Sequence, residues 1–162
     1  MRGMGMKKDT YIAVVGPSAG TPTELTLGEE VGRLIAEAGA VLVCGGLGGL
    51  MEAAASGCAE VGGRSVGIVP GDRPAANPYL TVAVATGMGE ARNAIVVRTA
   101  DAIIAVAGEF GTLSEIALAL KMGKPVVGLG TWELAKHGRS VDAIVRASSP
   151  AEAVGKALAL AG

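Results

Sequence analysis

The chain has 162 residues, half of them hydrophobic, with 14 basic and 15 acidic side chains and a net charge of −1. That length fits one domain, read here as residues 1–162, and the composition excludes a disordered tail. Charge near zero leaves no excess of cations to neutralise a nucleic-acid backbone, and no apolar run approaches the roughly 18 residues of a membrane span.

Residues 1–9 carry Arg2, Lys7 and Lys8 without the apolar stretch of a secretory signal. They read as a flexible tail on a cytoplasmic protein. The first strand is expected over Tyr11–Val15, followed by the turn Gly16-Pro17-Ser18-Ala19-Gly20. A helix over Thr26–Ala38 repeats Leu27, Val31, Leu34, Ile35 and Ala38 on one face, and Gly39 ends it. A second strand, Val41–Cys44, leads into Gly45-Gly46-Leu47-Gly48-Gly49-Leu50-Met51 and an apolar helix over Leu50–Ala59.

The third strand is Ser65–Val69, and Pro70–Tyr79, with three prolines, reads as a loop over one sheet edge. Thr81–Ala85 gives a weak strand signal. Gly87 to Asn93 opens a helix that continues through Arg98, placing the cation Arg92 in a first turn, against the helix dipole. Such a cation meets either an anion or a nearby carboxylate. The strand Ala102–Val106 precedes the turn Gly108-Glu109-Phe110-Gly111-Thr112, where Thr112 and Glu115 have the spacing of a capping box. Glu115 therefore has two readings, a cap or a group beside an oriented water. Strands over Val126–Leu129 and Val141–Val145 follow, and Ser149-Pro150-Ala151-Glu152 starts a last helix running to Leu160.

Short apolar strands alternating with helices predict an α/β, Rossmann-like doubly wound sheet, mostly parallel, with helices on both faces. With one Phe, one Trp and two Tyr the core must be aliphatic, and a planar ligand should sit mainly between aliphatic side chains. Cys44, Cys58 and His137 are too few for a Cys/His metal cluster, so no metal site is expected.

Function should lie where the three Gly-rich turns meet, at the carboxyl ends of the strands. There, Gly lets backbone N–H groups approach an anion, and helix starts add unsatisfied donors. The alternative is that each Gly merely allows tight packing. The expected phosphate-binding set is Gly16, Ser18, Gly45, Gly46, Gly48, Gly49, Met88, Arg92, Asn93, Gly108, Gly111, Thr112 and Glu115. Neither a P-loop nor a complete Gly-x-Gly-x-x-Gly is present.

Gly45 to Met51, Met88 to Asn93 and Gly108 to Glu115 together resemble the Lonely Guy family, long labelled possible lysine decarboxylases. The branch with Ala-Arg-Asn and Gly-Thr-Leu-Ser-Glu-Ile-Ala looks closest to molybdenum-cofactor carrier proteins. The resemblance implies a homodimer binding a phosphorylated nucleotide or pterin, with no cofactor required and molybdenum cofactor as a possible cargo. In the family's phosphoribohydrolases, the Arg and Glu matching Arg92 and Glu115 cleave the N-glycosidic bond of a nucleoside 5′-monophosphate. One departure stands out: Glu109 replaces a Gly of the family's Pro-Gly-Gly-x-Gly-Thr turn. Lysine decarboxylation is disfavoured, since no Lys for a Schiff base lies on a Gly-rich turn. The apolar helices after Gly49 and Gly111 are the expected dimer surface. A carrier and a hydrolase remain the two readings.

Overall fold

The computed structural model describes residues 8–162, so most of the expected 1–9 tail lies outside the described residues. Asp9 is described, and Arg64 donates to both of its carboxylate oxygens at 2.9 Å. Seven strands form one parallel sheet: β1 (Tyr11–Val15), β2 (Val41–Cys44), β3 (Arg64–Val69), β4 (Val82–Ala85), β5 (Ala102–Val106), β6 (Val126–Leu129) and β9 (Val145–Ala147). Their order across the sheet is β4-β3-β2-β1-β5-β6-β9. A separate antiparallel hairpin pairs β7 (Leu134–Lys136) with β8 (Arg139–Val141).

The weak Thr81–Ala85 signal is thus a true edge strand, in register with β3 from Val66↔Val82 to Val69↔Ala85. The single strand expected over Val141–Val145 is instead two. β8 ends at Val141 and β9 begins at Val145, with Ile144 buried between them. An apolar pair flanking a turn has the same local composition as one short strand, which is why the sequence pattern joined them.

Helices α1 (Pro22–Glu37), α2 (Leu50–Glu60) and α5 (Pro150–Ala161) cover one face, while α3 (Arg92–Thr99) and α4 (Phe110–Lys121) cover the other. The first helix starts before the expected Thr26. Thr21 caps it, accepting from the Glu24 N–H at 3.2 Å while Glu24 accepts from the Thr21 N–H at 2.9 Å, and Pro22 fixes the first turn. In α5 the Ser149 cap is as expected, but Glu152 accepts from Ser148 rather than from the cap residue. The buried apolar residues are aliphatic, Met or Cys, with no aromatic among them.

Small residues let α1 and α2 approach closely. A Cβ on Gly32 would collide with the backbone carbonyl of Ala54, which cannot move without displacing α2. Gly32→Ala is therefore expected to lower stability by about 2–3 kcal/mol, the usual cost of forced overpacking, and a urea unfolding curve would show it. The same contact buries Leu50, Ala54, Ala55 and Cys58 of α2 within the chain, while Ala53 is half-buried and Ala59 exposed. Among the described residues the exposed apolar side chains include Val82, Val84, Met88 and Phe110. No helix of the described residues is long and apolar enough to cross a membrane.

Candidate functional site

All seven strands of the sheet run in parallel, so their following turns share one edge, and β1 and β5 are the neighbours at which the strand order reverses direction. A cleft of about 360 Å³ opens there. Gly16 and Ser18 from the first turn, Gly45 from the second, and Gly111 and Thr112 from the third all line it, together with Arg92, Asn93 and Glu115. The three turns therefore meet at one place, and the size suits a small ligand or one part of a larger one.

Five of the expected residues do not line this cleft: Gly46, Gly48, Gly49, Met88 and Gly108. Around the second turn the physical reason is packing. The Leu50 N–H at the start of α2 donates to the Pro17 carbonyl at 3.0 Å, and a Cβ on Gly49 would collide with Ser18. The first turn lies across the start of α2 and takes up a donor that an anion would have used. Met88 is half exposed beyond the rim. Gly108 sits in the neighbouring pocket, and a Cβ there would collide with the Thr112 side chain.

The start of α4 is different. Its first intrahelical bond runs from the Leu113 N–H to the Glu109 carbonyl at 3.0 Å. The N–H groups of Phe110, Gly111 and Thr112 have no hydrogen-bond partner among the described residues. Unsatisfied donors at a helix start, with the positive end of the dipole behind them, form an anion site of the general kind.

Helix α4 also overturns the capping-box reading of Glu115. The helix begins at Phe110 with Glu109 in the cap position, so Thr112 is already inside it. Thr131 Oγ1 donates to the Ala107 carbonyl at 2.6 Å, and Trp132 Nε1 to the Glu109 carbonyl at 3.2 Å. These bonds fix the turn, and the helix starts three residues before a Thr112 cap would place it. Ala107 is held at φ 45°, a region that β-carbon-bearing residues seldom adopt. Glu115 is 7% exposed, and its carboxyl forms no hydrogen bond to a described residue. Burial pushes its pKa from 4.5 up to about 7, against a smaller opposing pull from the Arg92 charge.

Arg92 is the first residue of α3 and is only 9% exposed. It forms no ion pair with a described carboxylate, which removes the bland explanation for a cation at this helix start. Its Nη1 donates to the Asn93 side-chain oxygen, and its Nε is buried with no partner. Close packing holds the guanidinium: a Cβ on Gly45 would lie 2.7 Å from Met51 Sδ and 2.8 Å from Arg92 Nη2. Asn93 in turn donates to Ser114 Oγ at 3.3 Å, tying α3 to α4. Lys124, just beyond α4, donates through its ammonium to the Arg98 and Ala100 carbonyls at the end of α3.

Sequence reasoning missed Pro17, Leu47, Met51, Pro70 and Glu90 as lining residues. It also missed Asn77, a buried side chain that donates to the Leu47 carbonyl at 3.0 Å while its N–H donates to the Gly46 carbonyl. Asn77 pins the Pro-rich loop onto the second turn. Nothing local marks it, because both partners lie about thirty residues earlier.

Comparison with known proteins places this architecture. The model of the SLOG cluster4 family matches residues 9–158. The chain belongs to the SLOG cluster4 family. The resemblance to Lonely Guy proteins, and to their carrier-like branch, holds. Within reach of this SLOG cluster4 chain, an uncharacterized protein of Archaeoglobus fulgidus is 47% identical over 118 residues, 73% of this chain and 78% of the relative. The molybdenum cofactor binding protein of Rippkaea orientalis is similar at 33% identity with a TM-score of 0.85, covering 96% of this chain and 99% of that one. The molybdenum cofactor carrier protein of Chlamydomonas reinhardtii is similar at 30% identity with a TM-score of 0.80, covering 94% and 98%.

Proposed function

We propose that this SLOG cluster4 protein is a cytoplasmic binding or carrier protein for a phosphate-bearing small molecule, with molybdopterin-type cofactor as cargo. One observation carries the reading. Arg92 holds a buried guanidinium with an unpartnered Nε in a cleft floored by the free N–H groups of α4. Leaving a charged donor buried and unpaired costs several kcal/mol in general, and a bound anion removes that cost. The similarity to two molybdenum-cofactor-binding proteins over nearly the whole chain supports the same class of ligand.

Glu115 favours a second reading, N-glycosidic hydrolysis of a nucleoside 5′-monophosphate. A carboxyl with a pKa of about 7 exchanges its proton near neutral pH, as a general acid or base requires. In that reading Glu115 activates water or stabilises the developing positive charge on ribose, and Arg92 orients the phosphate. Incubation with AMP separates the two. A carrier gives a heat of binding, or a rise in melting temperature, and no product. Release of adenine and ribose 5-phosphate, abolished by Glu115→Gln, establishes the hydrolase instead.

The carrier reading includes a homodimer. The exposed Val82, Val84 and Met88, on and just beyond the β4 edge, and the α4 side with Phe110 are among the apolar surfaces open to a twofold mate. Light scattering should give twice the 16.0 kDa chain mass at micromolar concentration; a monomer mass would count against it.

A further inference from the structure

Beside the cleft lies a second pocket of about 410 Å³, lined by Glu24, Ala107, Gly108, Glu109, Gly130, Thr131 and Trp132. Glu109 lines both spaces and is the only residue common to them. Its carboxylate forms no hydrogen bond or ion pair with a described residue. A negative group at the mouth of a site suited to an anion would weaken binding unless it meets another part of the ligand.

The turn that carries Glu109 is held firmly in place. Thr131 and Trp132 bond the carbonyls on either side of Gly108, and the Ala107 N–H donates to the Leu129 carbonyl at 3.1 Å. Trp132 also packs against Phe110 with ring centroids 5.7 Å apart, and Phe110 is 76% exposed. Two of the four aromatic residues of the chain thus stand beside the turn that carries Glu109.

We propose that Glu109 is a specificity-determining residue that accepts two hydrogen bonds from a planar heterocycle carrying an exocyclic amine next to a ring N–H. That edge is the 2-amino-4-oxopyrimidine edge shared by guanine and pterins. The two oxygens of a carboxylate match those two parallel donors, as they match the two donors of an Arg fork. Adenine offers a ring acceptor at the corresponding position and is repelled. Hypoxanthine keeps the ring N–H and lacks the amine. The fixed turn holds the acceptor in place, and Trp132, which lines the second pocket, supplies a face for the ring. This inference rests on the reading that the neighbouring cleft holds the phosphate.

The test is calorimetric titration of the full chain with inorganic phosphate, AMP, IMP, GMP and 6-hydroxymethylpterin phosphate, repeated with Glu109→Ala and with Arg92→Ala. The wild type should bind GMP at least about tenfold more tightly than AMP, with IMP between them, as expected for a charge-assisted pair at a partly exposed site. The pterin phosphate should share the preference over AMP, and whichever of it and GMP binds more tightly identifies the ring system. Glu109→Ala should bring GMP and AMP to within about twofold and tighten inorganic phosphate, because a nearby negative charge is gone. Equal affinities for AMP and GMP in the wild type, or a preference that survives Glu109→Ala, overturn the proposal. If phosphate binds in an Arg92-dependent way while the bases are not told apart, only the role of Glu109 falls. If no probe binds at all, the phosphate reading falls with it. Glu109 is exposed, so the variant should keep its fold, and an unchanged melting temperature verifies that.

Discussion

At pH 8 the variant Glu115→Gln should be more stable to urea than the wild type, by about 3 kcal/mol of unfolding free energy, while losing whatever the site does with a proton. The Glu115 carboxyl holds its proton up to about pH 7 in the folded chain and to about 4.5 otherwise. Between those values the unfolded chain gains by ionising and the folded chain does not, so folding is penalised increasingly as pH rises from about 4.5 to about 7. Above that the penalty is complete. A shift of this size corresponds to roughly 3 kcal/mol. Gln removes it, being neutral at every pH, so the two proteins should converge below pH 4.5. The competing effect is loss of the attraction to Arg92, which by itself would destabilise. Burial is the larger influence on this carboxyl, so the net change is a gain. Urea titrations at pH 4, 6 and 8 check the result; a variant less stable than wild type at pH 8 would mean that the attraction to the Arg92 charge wins. A buried acid that costs stability is the kind of residue that function retains.

Arg92→Ala should reduce affinity for a phosphate-bearing ligand by at least about 100-fold, since two or more charge-assisted hydrogen bonds are lost from a buried site. Stability should change little, because the substitution also removes a buried donor that has no partner among the described residues. Arg92→Lys should recover only part of the loss. An ammonium keeps the charge, but it lacks the flat fork that packs against Gly45. Titration calorimetry with AMP, set beside melting temperatures, separates a lost ligand contact from a damaged fold. Undiminished AMP binding in Arg92→Ala would place the anion elsewhere.

Much of this arrangement was legible in the residues. The apolar runs at Tyr11–Val15, Val41–Cys44 and Ala102–Val106 match their strands to the residue, because strands buried on both faces carry no polar interruption. Arg92 was legible as an oddity, a cation where a helix dipole disfavours one. The misreadings share a cause. Thr112 to Glu115 has the local spacing of a cap, but the start of α4 is set by Thr131 and Trp132, about twenty residues later, and a local pattern carries no trace of them. Gly46 and Gly49 looked like phosphate ligands because glycine serves a close backbone neighbour and an anion equally well. Only the close approach of Val69 and Gly67 to Gly46, and of Pro17 and Ser18 to Gly49, separates the two uses.

The central place of β1 also bears on how the chain is made. Until β5 arrives, about ninety residues after β1, the strand Tyr11–Val15 has a partner on one side only. A nascent chain that has completed β1 to β4 presents, along β1, an apolar edge with unpaired N–H and C=O groups, open to any other strand it meets. The cleft does not exist at that stage, because one of its walls is α4, which follows β5. A ligand of the cleft therefore cannot protect the vulnerable intermediate. Synthesis speed through residues 92–121, and chaperone access during it, should govern the yield of folded protein more than ligand supply does.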